Sequence, residues 1–94
     1  MRSEVARNEH EKKVFDEIVR RKIKDMMNVY EGVNLSSLSR ATGLPVSTLS
    51  KALSGDRKIT TFVIYKICSA LNVPMSTFFL DIDEKMNACL IGEK

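Results

Sequence analysis

Residues 41–55 read "ATGLPVSTLSKALSG". They carry one charged side chain, Lys51, in a chain that is 29% charged overall. A glycine stands near one end and another closes the stretch, with Thr42, Ser47, Thr48, Ser50 and Ser54 spread through it. Such a segment is too polar for a helix sunk in a core and too poor in charge for an ordinary helix facing water. Its ends are well marked. Gly43 and Gly55 are of the residue type that stops helices by adopting left-handed backbone. Pro45 fits a first helical turn, where its missing N–H costs nothing. The stretch predicts a short helix from 45 or 46 to 54.

Toward the N-terminus, Asn34 is a favourable N-cap. It opens another short helix over 35–42, which Gly43 ends. Helices this short and this close must cross steeply, as in a helix-turn-helix. Leu38 on the first, with Leu49 and Leu53 on the second, would form the small core that fixes the crossing, and Ala52 permits close packing. Val46, Ser47, Ser50, Lys51 and Ser54 are left on the outer face. Such a face suits a helix laid in the DNA major groove. Serine donates or accepts, lysine pairs with guanine O6 and N7, and a valine methyl meets a thymine methyl. Phosphates would be held from the flanks, by the N-termini of the helices starting at 35 and 61 and by the basic turn over 56–58.

The rest of the chain reads as further helices. Phe15, Ile18, Val19, Ile23, Met26, Met27 and Tyr30 recur at helical spacing over 11–31, and Gly32 ends that run. Its basic cluster of Arg20, Arg21, Lys22 and Lys24, partly offset by Glu17 and Asp25, reads as a solvated face. Thr60 caps a helix over 61–72 with Ile64, Ile67, Cys68 and Leu71 on one side, and Val73-Pro74 breaks the chain. A short helix over 75–80 follows, and Asp81 or Asp83 would cap a last segment. No stretch alternates as a strand does. The expected fold is all-α, a compact bundle of five to six short helices. Residues 1–10 form a polar arm open to disorder, 11–80 the bundle with its helix-turn-helix over 35–54, and 81–94 a helical extension.

Charge and composition narrow the function. Residues 33–79 hold five Lys or Arg against one acid, Asp56, whereas residues 80–94 hold two against four. A basic middle is an electrostatic hint of a polyanion partner. Cys68 and Cys89 read as free thiols. His10, the single histidine, sits among charged residues, so no metal set is expected. Nucleophile–base pairs, carboxylate dyads and phosphate loops are missing, which argues against an enzyme. No cofactor or small-molecule ligand is implied. No apolar run approaches the ~20 residues that span a bilayer, and the charged start lacks a signal peptide's apolar stretch. The expected location is the cytoplasm.

Residues 34–79, "NLSSLSRATGLPVSTLSKALSGDRKITTFVIYKICSALNVPMSTFF", resemble the lambda-repressor-like (Xre/Cro) helix-turn-helix DNA-binding family. The marks are Leu38, the Gly43 turn, the run 47–50, Ser54-Gly55 closing the recognition helix, and "KICSALNV" over 66–73. The resemblance implies base reading by Val46, Ser47, Thr48 and Lys51, to which the outer-face argument adds Ser50. It implies phosphate contacts by Arg57 and Lys58 in the turn and by Asn34 and Ser36 at a helix start. Thr60, at the start of the next helix, joins them. The sequence departs from the family pattern in three places. Leu35 stands where the family often has a phosphate-binding glutamine, Pro45 replaces the usual serine before the recognition helix, and Pro74 replaces a cap.

Small DNA-binding modules of this kind commonly dimerise to read two half-sites about 34 Å apart. An apolar stripe outside the shared core, Ile82, Met86, Cys89 and Leu90, suggests part of the pairing surface; Phe62, Tyr65 and Phe78 read either as interface aromatics that join it or as packing within the bundle. The competing reading folds the stripe after residue 80 back onto the first helix. The function expected is a sequence-specific transcriptional regulator of double-stranded DNA, a repressor acting by operator occupancy. The alternative is an antitoxin-type interaction protein, which binds a toxin or other protein partner and autoregulates through the same fold.

Overall fold

The computed structural model describes the backbone of residues 2–92 and the side chains of residues 8–89. Five helices follow one another: α1 (Arg2–Val29), α2 (Leu35–Thr42), α3 (Val46–Ser54), α4 (Thr61–Ala70) and α5 (Met75–Gly92). The all-α expectation holds, with five helices and no strand among the described residues.

The boundaries around the middle of the chain follow local chemistry. Asn34 caps α2 through a reciprocal pair. Its Oδ1 accepts from the Ser37 N–H at 2.9 Å, and its own N–H donates to Ser37 Oγ at 2.9 Å. Gly43 (φ 77°) and Gly55 (φ 93°) end α2 and α3 in left-handed backbone that a Cβ would strain. Thr60 Oγ1 accepts from the Val63 N–H and caps α4. Asn72, also left-handed, turns the chain toward α5.

Two expectations are corrected. Residues 2–10 are not a separate arm, because their backbone forms the first turns of α1. The region 75–92 is one helix, not a short helix followed by a capped segment. No proline or glycine interrupts it before Gly92, and Asp81 does not act as a cap. Its carboxylate instead meets Lys22 of α1 at 2.7 Å and Lys85, one turn on, at 3.2 Å. Boundaries drawn at 10/11 and 80/81 therefore fall inside continuous helices.

One core joins all five helices. Val19, Ile23 and Met26 from α1 pack with Leu38, Leu49, Leu53, Val63, Ile64 and Ile67, and Phe78 and Ile82 from α5 complete it. α5 lies against α1 in the opposite direction. Lys22 pairs with Asp81 near one end of the contact, while Val14 and Ile18 share a recess with Cys89 near the other. Cys68 is buried, which raises its thiol pKa, with Lys22 opposing the shift. No single helix among the described residues is long and apolar enough to cross a membrane.

Candidate nucleic-acid interface

The α2–α3 turn is held by side chains. The Thr42 hydroxyl, buried, donates to the Leu38 carbonyl at 2.7 Å and accepts from the Leu44 N–H at 3.2 Å. The Ser39 hydroxyl donates to the Leu44 carbonyl at 2.6 Å. Leu38, Leu49, Ala52 and Leu53 are all buried beneath the turn. The crossing of the two helices is thus fixed both by packing and by satisfied polar groups.

This fixes which side of α3 faces outward. Val46, Ser47, Ser50, Lys51 and Ser54 are exposed, and Thr48 is half-buried. Pro45 gives α3 no side-chain cap, so the first N–H groups of the helix are left open to an external acceptor. Ser36 is exposed in the first turn of α2. Neither α2 nor α4 has an acid in its first turn, which keeps both N-termini favourable to anions. Asn34 and Thr60 stand at those two starts, their side-chain oxygens engaged in capping.

Arg57 and Lys58 lie in the turn that follows Gly55. The Arg57 N–H donates to the Lys51 carbonyl at 3.2 Å, folding the turn back on the last turn of α3. Both side chains are exposed. Contact with Lys12 of α1, by hydrogen bonding and like charge, holds the Lys58 ammonium below its usual pKa range, and nearby Asp16 opposes the shift.

α1 contributes residues that the sequence analysis assigns to a solvated face. Lys24, with Met27 and Asn28, lines a recess shared with Ser50 and Ser54. The Arg20 guanidinium sits over the end of α3, where its Cζ would lie 3.7 Å from a Cβ on Gly55. The sequence shows that these residues share one face of α1, but not what that face meets. Lys13, Glu17, Arg20, Lys24 and Asn28 follow one another at helical steps of three or four.

The sequence matches the family model of the Cro/C1-type HTH DNA-binding domain over residues 22–84, well over half of the chain. This chain is a member of the Cro/C1-type helix-turn-helix family. No curated protein matches it. In a Cro/C1-type chain the geometry above is that of a DNA-binding regulator, with α2 and α3 as the helix-turn-helix. The match begins at Lys22, so most of α1 lies outside it.

The expected pairing surface needs revision. Phe78 is 0% exposed and Ile82 2% exposed, so both belong to the core and neither is available to a second chain. They face inward because α5 packs along α1 and also touches α4, which turns this side of the helix onto the shared core. Met86 is half-buried and packs on the same core. The Leu90 side chain lies outside the described residues. Phe62 and Tyr65 are exposed, at 60% and 51%, with ring centroids 6.5 Å apart and the Lys66 ammonium 6.0 Å from the Phe62 ring. Leu80, which the sequence analysis did not single out, is 62% exposed.

Proposed function

We propose that this protein is a sequence-specific regulator that represses by occupying its operator in the cytoplasm, with α3 in the major groove. The observation that carries the reading is the outer face of α3, exposed, small and nearly uncharged, beside a turn bearing Arg57 and Lys58. Val46, Ser47, Thr48, Ser50 and Lys51 read bases. Asn34, Ser36, Arg57, Lys58 and Thr60 hold phosphates around them. With short side chains and one lysine, direct readout is modest, and DNA shape and half-site spacing supply the remainder. The protein works as a homodimer, and the exposed pair Phe62 and Tyr65 supports an interface on α4.

Selection of bound sequences from random duplex DNA tests the reading, and a palindromic motif is the expected result. On that motif Lys51→Ala weakens binding by about 1–3 kcal/mol and relaxes one base preference, whereas Arg57→Ala weakens all sequences alike. A flat selection from correctly folded protein sinks the operator reading. It would leave a protein partner of the antitoxin kind as the better explanation of the exposed aromatic pair.

A further inference from the structure

A cleft of about 500 Å³ opens where the middle of α1 meets the turn after α3. Lys13, Arg20, Arg57 and Lys58 line it, with Asp16 and Glu17 as the opposing carboxylates. Lys12, on the same stretch of α1, is in contact with Lys58. Among the described residues the ion pairs are those of Asp81 with Lys22 and Lys85, so none of these five cations is neutralised by one. Lys12 and Lys58 crowd each other, and nearby Asp16 offsets this only in part, since the Lys58 pKa is still lowered. An external anion between the two lysines relieves the crowding.

We propose that this cleft extends the phosphate contacts of the turn: Lys13 of α1, with Lys12 at its edge, joins Arg57 and Lys58 to grip the DNA backbone beyond the C-terminal end of α3. Position favours a backbone phosphate over a free anion. The turn folds back on Lys51, and Arg20 covers the end of α3, so the cleft adjoins the base-reading face. Arg20 also offsets the negative end of the α3 dipole, which would otherwise repel a phosphate there. The depressed pKa of Lys58 is consistent with the crowding of like charge. Lys12, Lys13 and Arg20 all lie outside the residues that match the family model. The inference rests on the DNA-binding reading above.

The test is the salt dependence of binding to the selected duplex, measured by fluorescence anisotropy. Each phosphate contact contributes about 0.9 to the slope of log K against log salt. Lys12→Gln is expected to lower the slope by about one and Lys12→Gln with Lys13→Gln by about two, with unchanged preference for the selected site over a scrambled one. Asp16→Asn is expected to tighten binding. Lys85→Gln, on α5, should leave the slope alone. Lysine and glutamine have similar helix propensities, and circular dichroism of each variant checks that α1 is kept.

If the wild type binds steeply and the α1 variants keep its slope, this inference is overturned while the operator reading stands. A wild type that binds no duplex overturns both. A third arm titrates inorganic phosphate and follows the amide resonances of residues 57 and 58. Saturation there, with the duplex slope unchanged in the α1 variants, would assign the cleft to a free anion and overturn the backbone assignment.

Discussion

α3 and α5 solve opposite problems. α3 is a nine-residue helix bounded by left-handed Gly55 and by the turn at Gly43. It buries Leu49, Ala52 and Leu53 and leaves its other side bare. α5 is 18 residues long, and what fixes its register is not local. Phe78 and Ile82 reach the core only because α1 lies alongside, and Asp81 is held by Lys22, far away in sequence. The contrast separates two kinds of information. Helix ends written in glycine and N-cap chemistry are set by a few neighbouring residues. Whether an apolar stripe faces the core or a partner depends on which other helix arrives.

The largest test of this contrast is Phe78→Ala. Removing a fully buried aromatic lowers stability by about 3–5 kcal/mol, to be read from chemical denaturation of the purified protein. A loss below about 1 kcal/mol would mean that α5 detaches easily and that Phe78 is an interface residue after all. Gly43→Ala comes next. Nothing lies within 4 Å of a Cβ built there, so the effect is backbone strain alone at φ 77°. It should be about 1–2 kcal/mol, without the cavity signature of a core change. If Gly43→Ala were neutral, the turn would not depend on local backbone chemistry as argued.

The smallest effect is at Asp81, half-exposed between two lysines. Asp81→Asn should lower stability by less than about 1 kcal/mol. Hydrogen bonds from Lys22 and then Lys85 hold the Asp81 carboxyl below its ordinary pKa. Its contribution is therefore present above the unfolded value of about 4 and lost as pH falls through the native one. Thermal unfolding of wild type and variant should differ at neutral pH and converge in acid. Divergence that grows below pH 4 would reverse the sign and refute the pairing.

Much of the helix-turn-helix was legible because its signals are short-range: Asn34, Gly43, Pro45, Gly55 and Thr60 all sit at helix limits in the structure. The 35–54 core of Leu38, Leu49 and Leu53 was equally readable from spacing. The outer termini were not. Polar residues 2–10 are compatible with either a helix or a loose arm, and nothing local chooses. Asp81 and Asp83 look like caps until Lys22 and Lys85 claim Asp81 for an ion pair. In the candidate interface the outward residues of α3 were evident. The placement of Arg20 and Lys24 beside them was not, because it depends on how α1 docks across the bundle.

The outer face of α3 has no structural duty. Val46, Ser47, Ser50 and Lys51 are exposed, and among the described residues none of their side chains makes a hydrogen bond or ion pair. Everything that holds the helix in place is on its other side or in the α2–α3 turn. Substitution at these four positions should therefore leave the scaffold undisturbed. A library randomised at 46, 47, 50 and 51, with proline and glycine left out at 50 and 51, should for the same reason return mostly folded protein.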